Sequence, residues 1–448
     1  MFEFKASVAN IAWAAACQSA RLRMKIAMGN PEFAQLTVLQ RLLRANAGTS
    51  FGREHGLLMV RRVEEFQEAV PARSYDDLVP WIERTEAGER GVLTNEPVLA
   101  FERSSGSNGA AKMIPFTAGL RAEFQEAIRA WMGELYARIP SLMGGPAYWL
   151  VSPLKQPGTF TNGGIPIGFN TDAEYLGAWE RRMSSWLFAV PQEIARKENL
   201  EENMDLTLRH LIRRPELRLI SVWNPSYLTI LWRRLIERVD EFIPSKSNRP
   251  AHPRDLWPRL AVVSGWANGS SEVDATFAAK LFDHATFQPK GLLATEGVIT
   301  IPWGDGEGAV PALRSHFLEF LETGGGTIKL VHELEFGREY EVLLTTSGGL
   351  WRYRLGDVVR VVGHDGRTPR LCFMGRADGV CDLRGEKLHP RFVGDIISKL
   401  TSGFAMLAPA DDAARPHYIL GSSCILVGFF QAMERLSLPR KNRTRMRS

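Results

Sequence analysis

Residues 101–117, FERSSGSNGAAKMIPFT, form the stretch around which the rest of the chain is organised. Short hydroxyls and flexible glycines precede one lysine there, in the order Ser104, Ser105, Gly106, Ser107, Gly109 and Lys112. Glycines let the backbone turn so that successive N–H groups point into one concavity, which is how a backbone nest binds phosphate. A lysine at the far end of the loop would neutralise a polyphosphate tail. The stretch therefore predicts a phosphate-binding loop.

The loop by itself is a weak signal. Its spacing differs from the Gly-x-x-x-x-Gly-Lys-Ser/Thr of P-loop nucleotidases, so that class is disfavoured. A polar surface loop with one lysine is the commoner explanation of such a stretch in isolation. Thr117 is placed to start a helix that Pro140 stops, and a helix N-terminus following the loop would add partial positive charge for an anion. Other motifs further along the chain are needed to decide between a phosphate-binding loop and a polar surface loop.

Length and charge bound the class of protein. The 448 residues exceed what one hydrophobic core fills, so at least two domains are expected, and 45% apolar with 23% charged residues is ordinary globular composition. The last 14 residues, 435–448, hold six of the basic side chains and no acid, and removing those six charges from the net +5 leaves −1. No nucleic-acid partner is therefore expected, and the basic patch is confined to this tail.

Cysteine usage and hydropathy favour a cytoplasmic protein. The four cysteines show no C-x-x-C pairing, which suggests neither a zinc site nor a disulfide framework. The Ala-rich run 8–17 is interrupted by Asn10 and makes a poor signal peptide. No segment reaches the ~18 apolar residues of a membrane span. We expect a chain without a membrane-spanning segment.

Two patterns of secondary structure follow one another along the chain. Strand-like runs at 217–223 and 260–264 alternate with helical patterns at 227–242 and 272–282. This alternation predicts an α/β sheet whose ligands lie beyond the strand ends. Residues 328–374 are instead strand-rich, with short apolar runs separated by Gly, Asp or Thr, which predicts a meander or a small distorted barrel.

Two acidic motifs each allow two explanations. In GLLATEGVITIP, Thr295 and Glu296 stand in a predicted turn, where the carboxylate could hold a divalent cation or could simply be an exposed, solubilising residue. In LWRYRLGDVVRVVG, Asp357 follows Gly356 between two predicted strands. Its two acceptor oxygens could take both hydroxyls of a ribose, or it could cap a turn.

The order of these motifs resembles the acyl-adenylate-forming ligases. The nest, Thr295-Glu296 and YRLGD at 353–357 are followed by GRAD at 375–378 and RGEKL at 384–388. Within that superfamily the chain most resembles the Gretchen Hagen auxin-responsive family of acyl acid amido synthetases. Two N-terminal stretches extend the resemblance, NAGTSFGREHG at 46–56 and VPARSYDDLVPWIER at 70–84, and in all it runs from about residue 35 to about residue 420.

The resemblance implies an α/β fold with two domains. A large N-terminal domain, residues 1–377, would contain a β-barrel and two mixed sheets flanked by helices. A small α+β domain, residues 378–448, would follow a hinge near Asp382. ATP and a carboxylic acid would bind in the cleft between them, with an amino acid or other amine as acceptor.

The resemblance also assigns roles to residues. Lys112 and Glu296 would be catalytic, with Glu296 helping to hold Mg²⁺. Thr295 would bond the α-phosphate, Asp357 would hold the ribose, and Arg376, which matches an arginine just before the hinge, would also bind the nucleotide. The nucleotide phosphates would be lined by Ser104, Ser105, Gly106, Ser107, Gly109 and Lys112. The 161–164 loop, Thr-Asn-Gly-Gly, resembles a family loop near the acyl and nucleotide sites.

Three departures from the family pattern leave alternatives open. Asn108 stands where the nest usually has Thr, residues 292–294 are Leu-Leu-Ala where an aromatic is usual, and only 66 residues follow Asp382. An ATP-dependent acid–amido synthetase is the preferred function, with its second half-reaction expected to be impaired by a short C-terminal domain. A ligase that hands the acyl group to coenzyme A, and a non-catalytic truncated member that binds partners, are the alternatives.

Overall fold

The computed structural model describes most of the chain. The described residues are 2–104, 112–150, 159–168, 185–196, 199–243, 249–377 and 393, with the backbone of 404–410 and 417–423. Several residues discussed above lie outside this set, namely Ser105, Gly106, Ser107, Asn108, Gly109, Asp378, Asp382 and residues 384–388. The chain divides into two compact units, residues 1–374 and 375–448. The domain limits given by the resemblance stay a prediction.

The chain begins with five helices. They are α1 (Phe2–Gly29), α2 (Pro31–Asn46), α3 (Ser50–Glu54), α4 (Val63–Ala69) and α5 (Tyr75–Glu86). Asn30 starts α2, because its side-chain oxygen accepts from the Phe33 N–H at 3.2 Å and proline is favoured at the first helical position. The inner face of α2 carries Leu39, Leu42 and Leu43 into the main core, whereas Phe33 is 66% exposed.

A hairpin and a long helix come next. Strands β1 (Val98–Ser104) and β2 (Lys112–Thr117) pair antiparallel, and α6 (Ala118–Arg138) follows, capped by Thr117. Because β2 is extended, about 20 Å separates Lys112 from Ala118, the first residue of α6, at ~3.4 Å per residue. The Gly119 N–H donates to the Glu96 carboxylate at 2.6 Å. The expectation that this helix N-terminus supports the phosphate loop is therefore wrong.

The middle of the chain forms a parallel sheet with helices, as the alternation predicts. Its elements are β3 (Ala147–Trp149), α7 (Leu200–Ile212), β4 (Leu219–Ser221), α8 (Ser226–Glu237), α9 (Val239–Phe242), α10 (Pro253–Leu256), β5 (Val262–Gly265), α11 (Glu272–Leu281) and β6 (Thr286–Pro289). The strands lie in the order β3-β4-β5-β6, all parallel. A separate core packs beneath them, with Leu208, Leu231 and Val263 fully buried.

The strand-rich region forms an antiparallel sheet. Four short strands lead into it, β7 (Leu293–Ala294), β8 (Gly297–Val298), β9 (Thr300–Ile301) and β10 (Val310–Pro311). The sheet itself contains β11 (Phe317–Glu322), β12 (Ile328–Leu330), β13 (Glu339–Thr345), β14 (Tyr353–Asp365) and β15 (Thr368–Arg376). Its order is β12-β11-β13-β14-β15, so β13, β14 and β15 form the predicted meander. The edge departs from a meander, because β11, which lies outside the predicted range, pairs with both β12 and β13. Among the described strands no sheet closes into a barrel, and the barrel stays a prediction.

The second unit contains a further hairpin. Its strands β16 (Phe404–Ala410) and β17 (His417–Ser423) pair antiparallel. The α/β fold class predicted from the sequence is confirmed by the parallel and antiparallel sheets with their helices. Within the described residues, no helix has the length and apolar character needed to cross a membrane.

Candidate active site

Lys112 is held between two tyrosines at the end of the β1–β2 hairpin. Its Nζ donates to the Tyr353 hydroxyl at 3.1 Å and lies 5.7 Å from the ring centroids of both Tyr75 and Tyr353. The Tyr75 hydroxyl accepts from the Met113 N–H at 2.7 Å, which fixes that ring against β2. No carboxylate among the described residues forms an ion pair with Lys112. The site therefore presents a half-buried, oriented ammonium that still needs an anion.

Ser104 faces Lys112 across the hairpin. The two residues are the last register pair of β1 and β2, so residues 105–111 connect two neighbouring points. The two ends of the predicted loop therefore lie side by side. Its inner residues Ser105, Gly106, Ser107 and Gly109 lie outside the described residues, and their part in phosphate binding stays a prediction.

The 161–164 loop lies beside the same hairpin. The Phe101 N–H donates to the Pro166 carbonyl at 2.8 Å, and the Gly168 N–H donates to the Phe101 carbonyl at 2.7 Å. Gly163 packs directly on the backbone of Gly88, where an added Cβ would come within 2.3 Å of the amide nitrogen. Only glycine fits such a close approach. These contacts fix the 161–164 loop beside Phe101, which precedes Ser104 by three residues in the chain.

Thr295 and Glu296 form the two-residue turn between β7 and β8. Glu296 is only 6% exposed, so the explanation of this residue as a solubilising surface carboxylate is wrong. Burial, with smaller contributions from carboxylates that include Glu296, raises the pKa of Tyr75. The Glu296 charge therefore acts on the same tyrosine that holds Lys112.

A buried charge network lies behind this turn. The Val298 N–H donates to His316 Nε2 at 3.0 Å, so the ring proton is on Nδ1, which donates to Glu123 at 3.0 Å. Arg41 donates to the other Glu123 oxygen at 2.7 Å, and the Ser347 N–H donates to Glu123 at 3.1 Å. Burial alone would raise the pKa of Glu123, but His316 and Arg41 outweigh burial and lower it. The network anchors β8, and therefore the turn that carries Glu296.

Asp357 lies inside one continuous strand, which corrects its predicted place between two strands. The pairing of β13 with β14 shifts between Leu343–Arg354 and Glu341–Val358, so the residues around Asp357 form a bulge. Gly356 has a φ of +85°, which glycine adopts without strain. The Asp357 side chain is buried, and a turn cap is not its role. Tyr353 begins the same strand, so β14 carries both the Lys112 partner and Asp357.

Arg376 is the last residue of β15 and belongs to the second compact unit. It follows Gly375, whose φ is +144°. Its predicted role ahead of a hinge stays a prediction. The described structure thus brings Ser104 and Lys112 together beside the tyrosine pair, and Asp357 lies further along β14. Glu296 is linked to this group through its electrostatic effect on Tyr75. The sequence reasoning did not find the two tyrosines or the Glu123–His316 network.

Comparison with known proteins gives the class to which this fold and site belong. The model described as the GH3 family N-terminal domain matches residues 21–244, and the GH3 family central domain matches residues 309–376. Together these matches span well over half of the chain. The protein is a member of the GH3 family, which confirms the resemblance seen in the sequence.

The most similar relatives include plant enzymes. The jasmonoyl-L-amino acid synthetase JAR6 of Nicotiana attenuata is 24% identical over 422 residues, which is 79% of this chain and 70% of the relative. The putative indole-3-acetic acid-amido synthetase GH3.10 of Oryza sativa subsp. japonica is 25% identical over 419 residues, 85% of each chain. A solved structure of the AtGH3.15 acyl acid amido synthetase in complex with 2,4-DB superposes with a TM-score of 0.74 at 19% identity. That superposition covers 93% of this chain and 82% of the other, and it confirms the fold.

Proposed function

We propose that this protein is an ATP-dependent acid–amido synthetase. It activates a carboxylic acid as an acyl-adenylate and then transfers the acyl group to an amino acid or another amine. The observation that carries the proposal is the Lys112 ammonium, which faces Ser104 and is held by two tyrosines without a carboxylate partner in the described residues. Membership of the GH3 family and relatives named as amido synthetases support it.

The first half-reaction joins two anions. A carboxylate oxygen attacks the α-phosphorus of ATP, a carbon–oxygen–phosphorus link forms, and pyrophosphate leaves with the electrons of the broken bond. Such a reaction needs charge neutralisation and alignment rather than a protein nucleophile. Lys112 supplies a fixed positive charge, Thr295 bonds the α-phosphate, and Asp357 accepts from the ribose hydroxyls.

The Glu296 turn fits a magnesium ion. Mg²⁺ is usually bound through one or two carboxylates together with substrate phosphates and water. A buried carboxylate next to the Thr295 hydroxyl is a hard-oxygen donor set of this kind. Glu296 would hold the ion, which would supply further neutralisation at the phosphates.

The second half-reaction needs little from the protein beyond placement. The amine nitrogen attacks the acyl carbonyl, AMP leaves, and the nitrogen loses a proton to give the amide. Enclosure from water would protect the acyl-adenylate from hydrolysis. We assign Arg376 to the nucleotide site, as the family resemblance implies, and we assign the chain to the cytoplasm.

One assay tests the proposal and separates it from its alternatives. With ATP, Mg²⁺ and a panel of aromatic and aliphatic acids, AMP release should rise when amino acids are added and should not rise with coenzyme A. An amide of the expected mass supports the proposal. An acyl-thioester product would reassign the protein to the coenzyme A ligases, and absence of any acid-dependent AMP would favour a binding protein.

A further inference from the structure

A row of side chains lies along one face of the parallel sheet at the carboxyl ends of its strands. Trp149, Ser221, Ser264 and Gln288 are register partners on β3, β4, β5 and β6, so they share a face. Lys290 comes two residues after Gln288, and its N–H donates to the Gly265 carbonyl at 2.9 Å. Ligands of α/β proteins bind beyond this edge of the sheet. None of these residues has a role in the proposed mechanism.

Lys290 is a buried cation enclosed by indole rings. Its Nζ donates to the Ser221 hydroxyl at 2.7 Å and lies 5.0, 5.9 and 5.4 Å from the ring centroids of Trp131, Trp149 and Trp223. The residue is 7% exposed, and no carboxylate among the described residues pairs with it. Burial is the cause that lowers the pKa of Lys290 to about 7. A buried ammonium without a counter-ion is costly to maintain.

Two further donors in the row also lack acceptors. The Trp149 Nε1–H and the Ser264 hydroxyl are buried and have no hydrogen-bond partner in the described part of the chain. Both belong to residues that flank Ser221 in the register. By contrast, the Trp131 Nε1–H donates to the Gln288 side chain at 3.0 Å. Buried polar groups are almost always paired. Unpaired donors grouped around one cation are complementary to an anion with at least two acceptor oxygens.

We propose that Lys290, with Ser264, binds the carboxylate of the acid substrate, and that Trp149 and Trp223 contact its apolar part. The inference rests on the proposed function. Trp223 is 48% exposed, so it is the one of the three indoles that an acid in solution can reach most easily. The flat indole surfaces favour an aromatic or otherwise planar acid.

The position of Lys290 along the chain agrees with this role. Only four residues separate it from Thr295, the proposed α-phosphate ligand. The short β7 strand joins the two, so the carboxylate site and the nucleotide site are consecutive parts of one segment. Lys290 binds and positions the nucleophile, and it takes no part in the bond changes.

Direct binding of probe acids to the whole chain tests the proposal. Phenylacetate and octanoate are titrated against tryptophan fluorescence, with Lys290→Met, Lys290→Gln and the exposed α11 variant Lys280→Met alongside. Loss of a charged hydrogen bond should weaken phenylacetate binding roughly 10- to 100-fold in both Lys290 variants. The Lys280→Met control should bind like the unaltered chain. Ser264→Ala should lose a smaller factor.

Several outcomes would overturn the proposal. They are unchanged phenylacetate affinity in Lys290→Met, absence of saturable binding of either acid by the unaltered chain, and inorganic phosphate binding as tightly as the acids. If the chain binds phenylacetate through Lys290 but forms no AMP, the proposed function is wrong and the assignment of Lys290 to acid binding is supported. If the chain forms AMP in an acid-dependent way and Lys290→Met leaves the KM for the acid unchanged, the proposed function is supported and the assignment of Lys290 is wrong.

The number of protons taken up when the acid binds separates the two possible roles of Lys290. It changes if Lys290 binds the carboxylate, and it does not change if Lys290 only stabilises the fold. The groups facing Lys290 from α6, β3 and β4 are indoles and a hydroxyl, none of which titrates near neutrality. A bound carboxylate restores the charged form of Lys290, whose pKa of about 7 leaves it half neutral at pH 7. Calorimetry in two buffers of different ionisation enthalpy should give about 0.5 proton taken up per phenylacetate at pH 7, and none in Lys290→Met.

Discussion

Lys112 and Lys290 differ in how far their side chains are exposed to solvent and in the groups that surround them. Lys112 stands at the end of an antiparallel hairpin, partly open to solvent, with a tyrosine hydroxyl and two phenol rings for partners. Lys290 stands beyond a parallel sheet, almost wholly buried among three indoles. A nucleotide carries its charge in a large, hydrated tail, which an accessible ammonium can meet. A small carboxylate gains most from a dry site, where each charged hydrogen bond is stronger.

The largest difference between the two lysines should be in stability. Lys290→Met removes a buried charge and should raise the free energy of unfolding at pH 7, whereas Lys112→Met removes one hydrogen bond and two cation–π contacts and should lower it by about 1 kcal/mol. The burial penalty on Lys290 is full below about pH 7, its folded pKa, and disappears towards its unfolded value of 10.5. In that window the unfolded chain binds more protons than the folded one, so stability rises with pH. The slope is about 1.4 kcal/mol per pH unit.

Urea unfolding of the unaltered chain, Lys290→Met and Lys280→Met from pH 6 to pH 10 measures this difference. The gap between Lys290→Met and the unaltered chain should be roughly 4 kcal/mol at pH 6 and should close towards pH 10. Lys280→Met should follow the unaltered chain throughout. A gap that does not depend on pH would mean that Lys290 is not a buried ammonium in solution.

The two lysines also differ in how far sequence could reveal them. Lys112 stands at the end of a local stretch of serines and glycines, so its role in binding phosphate can be predicted from one segment of the sequence. Lys290 depends on Trp131, Trp149 and Trp223, which are distant in sequence and meet only because the parallel strands align their carboxyl ends. No local sequence pattern predicts that these three tryptophans surround Lys290.

The same limit explains the errors in the fold and the site. Short apolar runs separated by Gly, Asp or Thr correctly predict the strand-rich region, since each strand is a local feature. The sequence predicts a break between two strands at Gly356, but a glycine with positive φ serves a turn and a bulge equally well. The sequence correctly predicts the turn at Glu296, but the burial of this side chain depends on tertiary packing that no local pattern shows. The Glu123–His316 pair joins residues 193 positions apart, beyond any motif.

The next largest effect should be catalytic. Lys112→Ala and Glu296→Ala each remove one preorganised group that stabilises charge on the phosphates, and each should lower acid-dependent ATP–pyrophosphate exchange by ~10²–10³. Lys280→Ala, on the surface of α11, is the matched control and should exchange at the parent rate. Circular dichroism of each variant separates lost chemistry from lost fold. Exchange at the parent rate in both site variants would remove the hairpin and the turn from the active site.

The smallest effect should come from the tyrosine that orients Lys112. Tyr353→Phe keeps the ring and its cation–π contact but deletes the hydroxyl that accepts from Nζ at 3.1 Å. One hydrogen bond contributes about 0.5–1.5 kcal/mol, so the KM for ATP should rise roughly 2- to 10-fold while the KM for the acid stays constant. Tyr340→Phe is the control, because the Tyr340 hydroxyl accepts only from the Glu335 N–H among the described contacts. If Tyr353→Phe raised the KM for the acid instead, Lys112 would bind the carboxylate of the acid. The assignment of Lys112 to the nucleotide and of Lys290 to the acid would then be wrong.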